Sequence, residues 1–248
     1  MITIKSPEEI SIMVEGGKIL AKVVKELKKR VVAGITTMEL NRAAEALILK
    51  YGAKPAFKGQ EGFPYSLCAS VNENIVHGFP SDYILKEGDI IGLDLGVLYK
   101  GYYTDMAVTI AVNKVSFEAK RLLMVANKAL KRGIKKAKIG NTTGDIGNTI
   151  QRYVEGQGYG VVRDLCGHGI GKGLHEDPKI PNFGERGTGP ELVEGMVICI
   201  EPMLTIGDWH LVKAKDGYGY TTKDGSLSAH FEHTIAITKN GPQVLTEL

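Results

Sequence analysis

The sequence predicts an α+β fold in which two similar halves surround a shared sheet. Helix and strand signals follow one another in the order helix, helix, strands, and this order then repeats once, with little residue identity between the halves. No proline-rich or serine-rich linker and no low-complexity segment interrupts the 248 residues, so we expect one domain over residues 1–248. Two halves around one sheet also predict a functional site where they meet.

Capping signals mark where the first two helices begin. In each, a Ser or Thr is followed three residues later by Glu, which is the capping-box pattern. The apolar stripe of the first helix advances in alternating steps of three and four residues from Ile10 to Val31, as expected for a helix that packs on a core. The start and stop signals are Ser6, Pro7 and Glu9 for the first helix and Thr36, Glu39 and Gly52 for the second.

Apolar patterning predicts the remaining elements. The segments "SLCASVN" and "DIIGLDLGVLYKGYYTDMAVTIAV" are typical of strands. Helical periodicity returns over residues 116–136 and 143–155. Strand signals then follow near "MVICIEPML" and "AHFEHTIAIT", which completes the second half.

Composition narrows the class of protein. Hydrophobic residues make up 43% and charged residues 24% of the chain, as in an ordinary soluble globular protein. The net charge of +3 is too small to indicate nucleic-acid binding by itself. The sequence has no apolar run of about 18 residues and no signal-peptide pattern, and its three cysteines cannot all pair. We therefore expect a cytoplasmic protein with reduced thiols and no membrane contact.

Basic residues gather on two of the predicted helices. They could form a face that docks near ribosomal RNA, although solvated helix surfaces explain them as well. These residues are Lys18, Lys22, Lys25, Lys28, Lys29 and Arg30 in the first helix, and Lys128, Lys131, Arg132, Lys135 and Lys136 in the third.

Two aspartates stand in the strand pair "GLDLGVLYKGYYTDMAV". With the turn centred on Tyr99 and Lys100, Asp94 and Asp105 face one another directly, with both side chains on one face of the sheet. A single aspartate in a strand would normally face solvent. Two like charges opposed within apolar sequence destabilise a hairpin, and this predicts a functional reason for their presence.

Two glutamates occupy similarly unexpected positions. Glu201 ends an apolar strand just before Pro202, and strand alternation in "SAHFEHTIAIT" places His230 and Glu232 on one face. Either glutamate alone would more often be salt-bridged or exposed. If all four acids converge, any two carboxylates 4 Å apart repel by roughly 4 kcal/mol at an effective dielectric constant of 20. Such a cluster has to bind protons or cations, and two divalent ions would balance four negative charges.

The stretch "CGHGIGKGLHEDP" carries two histidines among alternating glycines. The glycines exclude a helix, and their spacing matches neither a dinucleotide fingerprint nor a P-loop. By itself the stretch is equally compatible with a flexible surface loop. One imidazole added to the four carboxylates makes an oxygen-rich site suited to Mn, Fe(II), Co or Zn rather than calcium. Paired metals that activate a bridging hydroxide and polarise a carbonyl predict a hydrolase.

Five motifs together resemble those of the methionine aminopeptidases. They are "VNENIVHGFP", "GLDLGV" with Asp105 in "YTDMAV", "CGHGIGKGLHEDP", "ICIEPML" and "SAHFEHTIAIT", in that order and spacing over nearly the whole chain. The resemblance implies the pita-bread fold and a single catalytic metallopeptidase domain. It also implies removal of the initiator methionine, mainly when the second residue is small, through attack of a metal-bridging hydroxide on the scissile carbonyl.

The resemblance further implies a set of metal ligands. By carry-over onto matching positions, Asp94 binds one ion, His168 and Glu201 bind the other, and Asp105 and Glu232 bridge both. The family leaves the identity of the two divalent ions open among Co, Mn, Fe(II) and Zn.

The same carry-over implies the residues that contact substrate. His77 and His175 lie outside the metal ligands, contact the substrate and stabilise the tetrahedral intermediate or its leaving group, and Glu201 shuttles the proton of the nucleophilic water. Taken alone, His77 would be an ordinary loop histidine. Candidates for the methionine pocket, each also explicable as core, are Phe63, Tyr65, Cys68, Leu174 and Tyr220. No role is expected for His210, His230 or His233.

Spacing also predicts the subtype. His175 precedes Glu201 by only 26 residues, which leaves no room for the helical insert of the type II enzymes. The first helix begins near residue 6, so we expect a short type I enzyme without an N-terminal extension. The expected substrates are peptides and nascent chains that begin with methionine, and the expected state is a monomer.

Two alternative functions stay open at this point. One is another hydrolase of the same fold, such as a prolidase, an aminopeptidase P or a creatinase, although those relatives usually carry a separate N-terminal domain. The other is a non-catalytic binding module, although such proteins typically lose ligand residues, and all five are present here.

Overall fold

The computed structural model describes residues 1–248 and places four α-helices around four β-sheets. The helices are α1 (Pro7–Lys28), α2 (Thr37–Lys50), α3 (Phe117–Lys136) and α4 (Thr143–Glu155). Both predicted capping boxes form, at Ser6 and at Thr36. The apolar stripe overestimates the length of α1, because the helix ends at Lys28 and Val31 is buried just after the turn that follows it.

The first half contains β1 (Lys54–Pro55), β2 (Cys68–Val71), β3 (Asn74–Val76), β4 (Ile90–Tyr99) and β5 (Tyr102–Ala111). Strand β4 lies at the centre of an antiparallel sheet and pairs with β1, β2 and β5. Helix α1 packs on β4 and β5, and its buried face includes Leu20, Val24 and Leu27.

The second half contains ten strands. They are β6 (Gly160–Val161), β7 (Gly167–Gly169), β8 (Glu176–Ile180), β9 (Val197–Ile200), β10 (Met203–Thr205), β11 (Leu211–Lys213), β12 (Tyr220–Thr222), β13 (Ser228–His230), β14 (His233–Thr238) and β15 (Gly241–Val244). One sheet has the order β15-β14-β9-β7-β8, a second has the order β13-β10-β6, and the third joins β11 and β12 to β3 of the first half.

The turn between β4 and β5 differs from the sequence prediction by one residue. Tyr99 pairs with Tyr102, so the turn is centred on Lys100 and Gly101. Both turn residues have positive φ, 48° and 86° respectively. A two-residue hairpin whose central residues both have positive φ favours glycine at one of them, which explains why the turn falls on Gly101 rather than Tyr99.

The two halves meet along β5. The amide of Glu232 donates to the carbonyl of Ala107 at 2.9 Å, and the hydroxyl of Thr234 donates to the carbonyl of Asp105 at 2.8 Å. The largest hydrophobic cluster also draws on both halves, with 43 buried residues from all four helices and the sheets between them. No helix is both long and apolar enough to cross a membrane.

Candidate metal centre and substrate cavity

Asp94 and Asp105 lie on neighbouring strands in the interior. Their predicted direct opposition is wrong, because Asp94 pairs with Ala107 and Asp105 pairs with Gly96. The shift of the turn by one residue moves the register by two, so the two carboxylates are diagonal neighbours that share one face of the sheet. Asp94 is 8% and Asp105 is 3% exposed, which confirms that both acids are buried.

Glu201 and Glu232 enter the site from the second half. Glu201 follows β9, and Glu232 precedes β14. Since Ile200 pairs with His233, the two glutamates stand at the same end of this strand pair. The alternation predicted through residues 229–236 is interrupted, because residues 231 and 232 separate β13 from β14.

All four carboxylates converge on one point, and Glu232 is central to the cluster. Oxygen atoms of Asp94, Asp105 and Glu232 lie within 4.8 Å of one another. The Nε2 atom of His168 lies 3.8 Å from Glu201 Oε1 and 3.9 Å from Glu232 Oε1. Tertiary structure therefore brings together all five residues of the expected ligand set.

The orientation and charge of His168 suit a metal ligand. Its Nδ1 atom hydrogen-bonds with the carbonyl of Gly169 at 2.8 Å, which leaves Nε2 directed at the carboxylates. Burial lowers the pKa of His168 to about 4. The imidazole is therefore neutral near pH 7, with a lone pair available for coordination.

The pKa values of the four carboxyl groups are shifted upward, whereas that of His168 is shifted downward. Burial, reinforced by the charge of Glu201, raises the pKa of Asp105 to about 7, and burial raises the pKa of Glu201 to about 8. Burial and neighbouring carboxylates place the pKa values of Asp94 and Glu232 well above their ordinary range. Asp94 Oδ1 and Glu232 Oε1 are buried without a hydrogen-bond partner. Divalent cations would satisfy these oxygens and relieve the repulsion, so the donor set fits them.

Cys199 also lies close to the cluster, within 4.8 Å of ligand atoms of His168 and Glu232. It is a poor candidate ligand, because burial raises the pKa of its thiol well above the usual value and metals bind the thiolate. Its Sγ atom instead contacts the hydroxyl of Thr234 at 3.6 Å. All three cysteines are unpaired.

Sequence reasoning missed His230. Its Nε2 atom lies 3.3 Å from Glu201 Oε2 and 3.9 Å from Glu232 Oε2, and the side chain is 3% exposed. The signal was present, since alternation placed His230 on the face of Glu232. The other two histidines lie elsewhere, as expected: His210 pairs with Asp208 at the surface, and His233 hydrogen-bonds with Thr246.

His77 and His175 both line a cavity of about 320 Å³ that also contains the carboxylate cluster. The rings of His175 and His168 are perpendicular, with centroids 4.6 Å apart. The φ of His77 is 58°, a left-handed conformation that side chains rarely adopt. Burial lowers the pKa of His77 to about 4, so this imidazole is neutral.

Four of the five predicted pocket residues line this cavity: Phe63, Cys68, Leu174 and Tyr220. Tyr65 is outside its lining and instead packs edge-on against Phe63, with ring centroids 5.8 Å apart. A substrate contact of Tyr65 therefore stays a prediction without support from the cavity lining. Phe63 packs against four aromatic rings, those of Phe57, Tyr65, Phe79 and Tyr218.

Phe57 and Tyr218 belong to the wall and were missed. The ring of Tyr218 lies 5.3 Å from that of Phe63. Tyr218 belongs to the connection between β11 and β12 and lies more than 150 residues after Phe63 in the chain. No local sequence pattern could therefore have associated these two residues. Aromatic and apolar side chains thus line the same cavity as the carboxylates.

The glycines of β7 allow close packing rather than flexibility. A Cβ on Gly167 would overlap the carbonyl oxygen of Cys199, and one on Gly169 would overlap that of Asp177. The segment is therefore paired between β8 and β9, so it is neither a helix nor a flexible surface loop. This packing places His168 at the edge of the carboxylate cluster.

The fold and the site define a metallopeptidase. The chain belongs to metallopeptidase family M24, whose family model matches residues 11–239. Its relatives include full-length methionine aminopeptidases. That of Clostridium perfringens is 50% identical, with 99% of each chain covered, and methionine aminopeptidase 1 of Bacillus subtilis is 46% identical over the whole of both.

Solved structures agree with this assignment. The crystal structure of the methionine aminopeptidase from Thermotoga maritima superimposes over the whole of both chains, with a TM-score of 0.98 and 45% identity. The prolidase from Pyrococcus furiosus has a TM-score of 0.79 and 29% identity, with 99% of this chain and 65% of that chain covered. The pita-bread fold and the family resemblance are thereby confirmed.

Proposed function

We propose that this protein is a metal-dependent aminopeptidase that removes the initiator methionine from polypeptides whose second residue is small. The observation that carries the proposal is one cavity lined both by four carboxylates with His168 and by apolar and aromatic side chains. Full-length identity of 46–50% to methionine aminopeptidases supports the same activity.

Asp94, Asp105, His168, Glu201 and Glu232 would hold two divalent ions. When bound, such ions lower the pKa of water and polarise a substrate carbonyl. The oxygen-rich donor set is compatible with Co, Mn, Fe(II) or Zn.

The remaining polar groups of the cavity suit a peptide substrate. His77 is held neutral by burial, so its imidazole can donate a hydrogen bond to a carbonyl oxygen that gains charge. His175 is exposed beside His168 and can contact the nitrogen of the scissile peptide bond. Burial raises the pKa of Glu201 to about 8, and a carboxylate titrating near neutrality can accept a proton at Oε and return it to the leaving amine.

The apolar wall suits the side chain of the first residue of the substrate. A thioether makes favourable contacts with aromatic edges and adapts to irregular gaps. Phe57, Phe63 and Tyr218 supply such edges, and Leu174 is buried beside them. A cavity of about 320 Å³ has room for one such side chain but not for a folded segment.

The decisive test measures methionine release from Met-Ala-Ser. The protein is stripped with EDTA, and Mn, Fe(II), Co and Zn are added back separately. We expect metal-restored cleavage that is absent in Asp105→Ala, with circular dichroism confirming that the variant is folded. Hydrolysis of an X-Pro dipeptide or of creatine without cleavage of Met-Ala-Ser would favour a related hydrolase, and metal binding without any cleavage would favour a binding module.

We also propose that residues 1–248 form one catalytic domain, that the protein is a monomer, and that it is cytoplasmic, where its unpaired thiols stay reduced. Ribosome contact stays a prediction. Its support is that Lys28, Lys128 and Lys131, all in the predicted basic set, line one groove of about 730 Å³.

A further inference from the structure

The N-terminal segment, residues 1–5, lies against the glycine-rich stretch that carries His175. The backbone amide of Lys5 donates to the carbonyl of Gly195 at 2.8 Å, and the amino group of Met1 lies 2.7 Å from Asp177 Oδ2. The hydroxyl of Thr3 donates to Glu176 Oε2. The segment therefore has a defined path across this side of the molecule before α1 begins.

The centre of this contact is a buried ion pair. Lys5 Nζ lies 2.8 Å from Glu176 Oε2, and the two side chains are only 5% and 13% exposed. No other ion pair between a lysine and a carboxylate in this protein is as enclosed. An ion pair out of water depends on its geometry and its further hydrogen bonds, and removal of one partner leaves an uncompensated charge.

The second oxygen of Glu176 closes a tight turn. Glu176 Oε1 accepts a hydrogen bond of 2.8 Å from the amide of Gly173, and the closed turn contains Leu174 and His175. Leu174 is a wall residue of the cavity, and the ring of His175 contacts that of His168. The position of His175 is thus set by the residue that follows it, and Lys5 holds that residue.

Lys5 also fits against the glycines themselves. A Cβ on Gly171 would overlap the Cε atom of Lys5, so the lysine stem occupies the space that a side chain would fill. On the other side, the amide of Tyr103 donates to the carbonyl of Gly171 at 2.8 Å. The turn is therefore contacted on one side by the N-terminal segment and on the other side by β5.

We propose that Lys5 and Glu176 are positioning residues for His175, and that residues 1–5 act as a brace of the active site. The proposal rests on the proposed function, in which His175 contacts substrate. Without the ion pair, Glu176 keeps only the Thr3 hydroxyl on Oε2 and loses the charged contact that holds its carboxylate over Gly173, and His175 samples positions away from the scissile bond. Misplacement of a catalytic group by about 1 Å can lower a rate by on the order of a hundredfold.

The test is a double-mutant cycle in the metal-loaded enzyme. Lys5→Met keeps the aliphatic stem and removes the charge, and we expect kcat for Met-Ala-Ser to fall on the order of tenfold with KM and metal content unchanged. In a His175→Ala background, Lys5→Met should cause no further loss, because it acts through His175. An equal loss in both backgrounds, or no loss in either, would overturn the proposal.

A second variant separates positioning from folding. Lys5→Met/Glu176→Met removes both charges, so its unfolding midpoint should return toward the wild-type value, while kcat stays low because the turn is unbraced. Recovery of kcat together with stability would show a purely structural role. Lys100→Met, which breaks the exposed ion pair with Glu15, is the matched control and should change neither kcat nor the unfolding midpoint.

Hydrogen–deuterium exchange tests the brace without reference to activity. In Lys5→Met, amides of residues 171–176 should exchange faster while those of α1 and β4 do not. Unchanged protection there would overturn the proposal even if the enzyme is active. Absence of methionine release by the wild-type protein, with faster exchange in the variant, would instead contradict the proposed function and leave the brace supported.

Discussion

His230 Nε2 lies 3.3 Å from Glu201 Oε2, and the two side chains are 3% and 12% exposed. The nitrogen has no aligned hydrogen-bond partner, and burial lowers the pKa of His230 to about 3. A neutral imidazole beside a carboxylate of the candidate metal centre can orient that carboxylate or offer its own lone pair.

We expect His230→Ala to weaken metal binding and methionine release by roughly 10–100-fold, the usual effect of losing a group next to the metal ligands. Calorimetric titration of the stripped protein measures the first quantity, and the Met-Ala-Ser assay measures the second. His210→Ala removes an exposed histidine and serves as the control. Wild-type metal affinity in His230→Ala would show that His230 only fills space.

Metal loading should release protons. With the pKa of Asp105 at about 7 and that of Glu201 at about 8 in the absence of metal, both carboxyls hold protons at pH 6 and have largely lost them by pH 9. Cations must displace those protons, so more should be released per ion at pH 6 than at pH 9, and apparent affinity should rise over this interval. Calorimetric titration with metal in buffers of different ionisation enthalpy measures the number of protons released per ion. Equal release at both pH values would contradict the prediction.

Gly169→Ala should destabilise the protein by about 3 kcal/mol, because the new Cβ would overlap the carbonyl of Asp177 within the β7–β8 pair. Chemical denaturation of the metal-free protein measures the change. Gly92→Ala is the control. Gly92 is also a buried strand glycine, but its Cβ would meet nothing closer than 3.6 Å, so we expect a change below about 1 kcal/mol. Similar losses in both variants would refute the packing argument.

Tyr218→Ala should raise KM for Met-Ala-Ser about fivefold, since one aromatic wall contact contributes on the order of 1 kcal/mol. Its ring is half-buried and packs on Phe63 and Phe79. Tyr65→Ala removes a ring that packs on Phe63 but does not line the cavity. The change in log KM should be less than half of that caused by Tyr218→Ala. The reverse order of effects would place the substrate side chain on the Tyr65 side of Phe63.

Local signals predicted the helices well. The capping boxes at Ser6 and Thr36 depend on atoms three residues apart, so they form as the sequence predicts. The alternation of side chains along β4 and β5 also predicted the correct face of the sheet, since Asp94 and Asp105 do share a face. Register was not reliable, because one residue of error in the turn at Gly101 moves every cross-strand partner by two.

His230 shows why the site was only partly predictable. Alternation placed His230 on the face of Glu232, but the strand is broken at residues 231 and 232, so this pattern could not show how close His230 comes to Glu201 and Glu232. Glu232 is held in place by a hydrogen bond that its backbone amide donates to the carbonyl of Ala107, in the other half of the molecule. The same holds for Tyr218, which reaches the cavity wall through the pairing of β12 with β3.

By itself, the sequence determined the helix starts, the buried acids, the residues of the candidate ligand set and the family of the protein. These depend on residue identity and on spacings of a few residues. Only the tertiary structure decided the hairpin register, the position of His230 beside Glu201 and the exclusion of Tyr65 from the cavity wall. Those features depend on contacts such as that between Asp105 and Thr234, which are 129 residues apart, and the free energy of such contacts is set by packing that no local pattern encodes.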